Sequence, residues 1–246
     1  MKQSILTVNA GSSSIKFALF PLRDPLPEQA DLAGQIDAIG TPEVKLIVKN
    51  LAGQRVTDQA LSGGAALTHP QAFDQLLSWL NYYEKGNKIV AVGHRIVHGG
   101  QNYSSPIVLN ASNLAALTQL TPLAPLHQPH NLNAIHALQT LQPGVPQVAC
   151  FDTAFHRTQP EIAQRYGLPR KYMQEGARRY GFHGLSYEYI ARKLPQYTQR
   201  ADGRVVIAHL GNGASMSALI ERRCIATTLG FSTLDGLLMG TRCGSI

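Results

Sequence analysis

The chain has 246 residues, of which 44% are hydrophobic and 15% charged, with a formal charge of +7. Such a length and balance imply a globular protein of one large or two modest domains. They exclude a transmembrane helix, because no apolar run approaches membrane-spanning length. The positive residues are scattered, and the one dense group is Arg170, Lys171, Arg178 and Arg179. No basic helix with interleaved aromatics appears, so small anionic ligands are expected rather than nucleic acid. Cys150, Cys224 and Cys243 lie far apart with no paired spacing, which argues for a reducing cytoplasm and against a disulfide framework. Met1-Lys2-Gln3-Ser4 leads into a strand and lacks a signal peptide's apolar block.

The apolar run Ile5, Leu6, Val8 ends abruptly at Asn9-Ala10-Gly11-Ser12-Ser13-Ser14. Alternation resumes with Ile15, Phe17 and Leu19 on one face, which predicts a β-hairpin with a polar tip. Backbone N–H groups, hydroxyls and Lys16 gather there, a combination that suits phosphate oxygens. An ordinary Ser/Gly hairpin loop has the same pattern.

A proline-rich turn follows over 21–27, then a strand over 44–48 that turns and returns through Val56. Phe73, Leu76, Leu77 and Leu80 predict a helix over 70–83 whose stripe is core. The run 89–92 reads as a buried strand stopping at Gly93, with Arg95 beyond its end between Gly93 and the Gly99–Gly100 pair. A guanidinium in that setting grips a carboxylate or phosphate through two parallel hydrogen bonds. His94 and His98 are spaced as metal ligands are, but without cysteine or acidic neighbours they are expected to hydrogen-bond. Ser112 is the expected cap of a helix carrying Leu114, Leu117 and Leu120, and 131–141 the next helix.

Residues 145–151 read as a short strand ending at Asp152, either a helix cap or a catalytic or metal-linked carboxylate. A domain boundary is expected near 150–160, giving units 1–150 and 151–246. Helices over 161–166 and 185–194 come next, with His183 between aromatics and glycines, either a satisfied core histidine or a donor to a transferring phosphoryl group. Val205–Leu210 then runs into Gly211-Asn212-Gly213-Ala214-Ser215 and a further strand, about 200 residues after the first hairpin and on the same plan. The repetition implies a duplicated α/β architecture, each half presenting a phosphate-cradling turn to a shared cleft. A last strand spans 224–228, and Arg242 lies in the Gly- and Thr-rich end. No P-loop, dinucleotide fingerprint, nucleophile elbow or HExxH occurs.

Taken in order, VNAGSSSIKF, GHRIVHGG, PLAPLHQPHN, CFDTAFH, YGFHGLSYEY, HLGNGASM and GFSTLDGLLMGTRCG resemble the acetokinase family of the actin and sugar-kinase superfamily. The resemblance implies two ribonuclease H-like lobes, a homodimer, and reversible phosphoryl transfer from ATP to acetate, giving acetyl phosphate and ADP with Mg²⁺ (or Mn²⁺). By the same resemblance Asn9 is the metal-associated residue, Ser12 and Ser14 belong to the phosphate turn, and Lys16 contacts ATP. His209, Leu210, Gly211, Asn212 and Gly213 form the second phosphate loop. Arg95 binds the substrate carboxylate, while Val97, Leu126 and Phe182 line the methyl pocket, Val97 leaning it toward acetate over propionate. Asp152 is the active-site acid, and His183 and Arg242 stabilise the transition state. Acetate is already ionised at neutral pH, so Asp152 is expected to position the metal, its water or an arginine rather than to abstract a proton.

Tyr187 stands where the family commonly has histidine, Thr233 where it has proline, Asp235 for glutamate, and Ser245 for aspartate. The family pattern continues past Ile246 through the adenosine-binding segments and a distal glutamate. A truncated form or a fragment is therefore expected, with the second lobe incomplete. The rival reading is a non-catalytic phosphate- or carboxylate-binding remnant.

Overall fold

The computed structural model describes residues 2–245. The opening strands β1 (Lys2–Ala10) and β2 (Ile15–Pro21) form the expected hairpin, antiparallel in a register that sets Asn9 opposite Lys16. Ile15, Phe17 and Leu19 are buried while Lys16 is exposed, the alternation that a half-buried strand requires. The sheet continues through β3 (Leu32–Asp37), β4 (Lys45–Asn50) and β5 (Arg55–Ala60), each antiparallel to the one before. Sequence alternation did not announce β3, because Gly34 interrupts it. A Cβ on Gly34 would stand 2.5 Å from the Ile47 carbonyl oxygen, so the strand pairing itself demands the glycine.

Helix α1 (His69–Tyr83) opens on Thr68 and Gln71, which form a capping box. Strand β6 (Asn87–Ile96) runs on beyond Gly93, where the apolar run ends. Parallel pairing with β1 reaches Val8↔His94 and carries the ladder through the glycine, so Arg95 lies within the strand and not in a loop after it. After the two-residue strand β7 (Ile107–Val108) comes α2 (Ala111–Thr118). Its cap is Asn110 and not Ser112: Asn110 and Asn113 exchange side-chain-to-backbone hydrogen bonds of 2.9 and 2.8 Å. Helix α3 (Gln128–Leu141) begins three residues earlier than expected, since Pro129 sits in its first turn, where no N–H is needed. Strand β8 (Gln147–Phe151) completes an eight-stranded sheet in the order β5-β4-β3-β2-β1-β6-β8-β7.

Short helices α4 (Glu161–Gln164) and α5 (Arg170–Gln174) precede α6 (Gly184–Lys193). A three-stranded antiparallel sheet follows, ordered β11-β10-β9, from β9 (Arg204–Leu210), β10 (Ala214–Ile220) and β11 (Arg223–Thr227). In β10 the buried face is Ser215, Ser217 and Leu219, while Met216 and Ile220 are exposed.

The chain divides into two compact units. One comprises Met1–Arg95, Ile107–Leu114 and Leu126–Ala149; the other Ile96–Pro106, Ala115–Pro125 and Cys150–Ile246. The first is built on strand residues Leu6, Val8, Phe17, Ile36 and Leu46 packed with Phe73, Leu76 and Leu77 of α1 and Leu138 of α3. Phe73 is fully buried there. Phe73→Ala is expected to cost this unit about 3–5 kcal/mol, read as a lower denaturant midpoint for the first unit. No helix among the described residues is long and apolar enough to cross a membrane.

Candidate active site

In the first unit the hairpin tip is closed by Gly11 N–H donating to Ser14 C=O at 2.8 Å. Two side chains from elsewhere in the chain fasten it. The Asn131 amide donates to Ala10 C=O and His69 Nε2 to Gly11 C=O, both at 2.8 Å. Sequence reasoning missed both. Asn131 was visible in principle, as an amide on the apolar face of α3 with Ala134, Ile135 and Leu138. Arg95 Nη1 donates to Asn9 Oδ1 at 3.1 Å, because the parallel register of β1 and β6 brings their ends side by side. Asn9, the turn with Ser12 and Ser14, Lys16 and Arg95 thus gather at one end of this sheet. Ser12 and Lys16 are exposed. His94 turns the other way, buried against Gln147 at 2.6 Å, and burial pushes its imidazole down to about 4. It is a neutral hydrogen-bonding histidine, as expected.

In the second unit Asp152 directly follows β8 and is buried, its N–H donating to Ile96 C=O at 3.0 Å. Its carbonyl accepts the Gly184 N–H at 2.9 Å, which ties the end of β8 to the start of α6. Thr153, not Asp152, precedes the short 3₁₀ turn Ala154–Thr158. His183 sits immediately before α6 in the left-handed region, at φ 59°. That conformation is costly for a residue with a Cβ and persists only where its surroundings enforce it. Below it, buried His156 donates through Nε2 to Phe182 C=O at 2.8 Å, and its Nδ1 lies 3.2 Å from Cys224 Sγ. Burial pushes His156 down to about 4, so it works as a neutral strut. His98, likewise pushed down to about 4 by burial, packs edge-on against Tyr180 and Phe182.

The His183 ring stacks on that of His209, with centroids 4.1 Å apart, and its Nδ1 lies 2.8 Å from Ser215 Oγ. Arg242 is anchored by Nη1 donating to Thr233 C=O at 2.6 Å. Its other arm turns toward Gly213. The space that a side chain on Gly213 would fill lies 3.5 Å from His183 Nε2 and 3.7 Å from Arg242 Nη2. The edge of the His183 ring, with Cε1 at 3.6 Å, and one arm of Arg242 therefore border the space that glycine leaves at 213. The turn is braced by Gly211 N–H to Gly213 C=O and by Gly240 N–H to Asn212 C=O, each at 3.1 Å. Leu210 is exposed.

Val97 and Phe182 lie in a buried cluster with Ala124, Tyr180, Ala214, Leu229 and Met239. Leu126 is not among them: it is 73% exposed and belongs to the first unit, while Leu123 and Ala124 pack in the cluster. Among the described residues no three His, Cys, Asp or Glu side chains group as a metal site.

The architecture defines an α/β fold of the actin and sugar-kinase type. Residues 4–246 match the acetokinase family, and the chain belongs to it. It is 48% identical over 250 residues to an acetate kinase of Rhodopseudomonas palustris, covering 100% of this chain and 62% of that protein. Its structure superposes on a propionate kinase from Francisella tularensis with TM-score 0.88 at 37% identity, over 99% of this chain and 62% of that one. Against the acetate kinase of Porphyromonas gingivalis the values are 0.82, 34%, 99% and 61%. The chain therefore spans about 62% of the length of these relatives.

Proposed function

We propose that this chain carries the acyl-phosphate half of a reversible kinase that transfers phosphate between ATP and acetate. The observation supporting this most directly is that His183 and Arg242 both border the space beside Gly213. Acetate and the terminal phosphate of ATP are both anions, so their approach needs cations and fixed donors. Attack of a carboxylate oxygen on the γ-phosphorus forms the acyl phosphate as the bridging P–O bond breaks, and ADP leaves with the electron pair. No proton is removed from acetate. The transition state is loose, so alignment and charge stabilisation are most of what the protein supplies.

In this reading Arg95 takes the acetate carboxylate and is oriented by Asn9, while Ser12, Ser14 and Lys16 contact nucleotide phosphates. His183 and Arg242 donate to the transferring group beside the loop His209–Gly213. Val97 and Phe182 form the apolar wall for the methyl group, with Leu126 in the role the family resemblance gives it. Mg²⁺ keeps several waters and uses few protein ligands. Asn9 is the residue that would hold the metal, which when bound would neutralise phosphate charge; Asp152 would position a metal-bound water or an arginine.

We further propose a cytoplasmic homodimer with lobes 1–150 and 151–246. Light scattering tests the dimer, and limited proteolysis near residue 150 tests the lobes. The second reading is a phosphate- or carboxylate-binding remnant without turnover. Trapping acetyl phosphate with hydroxylamine, in ATP, acetate and Mg²⁺, separates the two. Hydroxamate formation supports the kinase. ATP binding by calorimetry with no hydroxamate leaves the remnant.

A further inference from the structure

His183, Ser215 and Tyr187 form a buried chain of hydrogen bonds whose hydrogens can be placed one by one. Tyr187 and Ser215 are both fully buried. The buried Tyr187 hydroxyl hydrogen has Ser215 Oγ as its acceptor, in a short contact. Ser215 Oγ has two partners among the described residues, Tyr187 and His183 Nδ1. Having accepted from Tyr187, it gives its own hydrogen to Nδ1. An imidazole whose Nδ1 accepts carries its hydrogen on Nε2. Were the ring hydrogen on Nδ1 instead, Ser215 would accept twice and its own hydrogen would be buried with no acceptor. Hence the direction runs one way, from the tyrosine to the ring.

We infer that Tyr187 and Ser215 are positioning residues that lock His183 as the Nε2–H tautomer, so that it presents a donor, beside Arg242 Nη2, to the space at Gly213. The use made of that donor rests on the phosphoryl-transfer reading above, but the tautomer itself does not. His183 is thereby a fixed electrophilic partner for an anionic oxygen and not a base. The left-handed backbone at His183 and the stacked His209 ring restrict its other rotations. The sequence carries half of this device openly, since Tyr187 is the residue that departs from the family's usual histidine.

The test is nitrogen-15 NMR of the histidine-labelled chain at neutral pH, with the His183 signals assigned by their loss in His183→Gln. The wild-type ring is expected to show hydrogen on Nε2 and an acceptor at Nδ1. In Ser215→Ala and Tyr187→Phe both ring nitrogens should shift toward a mixture of tautomers. In the hydroxamate assay kcat should fall at least about tenfold with little change in KM for ATP, the loss of a donor and not of a binding contact. A wild-type ring with hydrogen on Nδ1 overturns the inference, as do ring signals that stay put in both variants. The wild-type spectrum decides the tautomer even if a variant fails to fold. A chain that makes no acetyl phosphate yet shows Nε2–H refutes the activity and leaves the relay standing; an active chain with Nδ1–H does the reverse.

Discussion

On the proposed kinase reading, Arg242→Ala is expected to lower acetyl phosphate formation about 10³-fold in kcat, the scale of removing a fixed donor at developing charge. The side chain is held at one arm by Thr233 C=O, which leaves Nη2 pointing at the Gly213 space. Alanine removes both the charge and the donor there, while His183 Nε2 remains. Arg242→Lys separates the two effects. It restores a positive charge but cannot hold Thr233 and face Gly213 at once, because an ammonium lacks the rigid fork of a guanidinium. Lysine should therefore recover only a small part of the loss. Full recovery would mean that charge alone matters, and the orientation of the guanidinium would carry no weight. Undiminished kcat/KM in the alanine variant would remove Arg242 from the chemistry.

Local rules reached the two hairpins and α1, because each is specified by a short pattern: alternation for the strands, the apolar stripe Phe73, Leu76, Leu77 and Leu80 for the helix. They failed where a distant partner decides. β3 exists because Ile47 and Phe17 leave room for nothing larger than Gly34, a fact spread over three strands. β6 outruns its glycine because β1 pairs with it in parallel, and Asn110 outcompetes Ser112 because Asn113 answers it. The site divides in the same way. Glycine- and serine-tipped turns with Arg95, His183 and Arg242 stand out as motifs, since chemistry fixes residue types. The residues that hold them do not stand out. His156 meets Cys224 at a separation of 68 residues and His69 meets Gly11 at 58, contacts that no periodicity encodes.

Gly184→Ala should be the most damaging single methyl in the second unit. A Cβ at this position would stand 2.1 Å from the Asp152 carbonyl oxygen and 3.0 Å from both the Asp152 carbonyl carbon and Phe155 Cβ. The nearest obstacle is backbone, so no rotamer change relieves it. The chain must part where Gly184 N–H meets Asp152 C=O, which breaks the bond between β8 and α6 and shifts Asp152 and His183 together. The expected cost is about 3 kcal/mol, at the upper end for overpacking. It should be read by chemical denaturation, following loss of the β-sheet and helix signal of the second unit. Gly167→Ala is the control, since a Cβ there meets nothing within 4 Å, and it should leave the midpoint unchanged. If Gly184→Ala matched this control, the backbone contact between Asp152 and Gly184 could not be what holds these two side chains in place. A large loss of transfer at temperatures where Gly184→Ala is still folded would show that small displacements of Asp152 and His183 are enough to uncouple the chemistry from the fold.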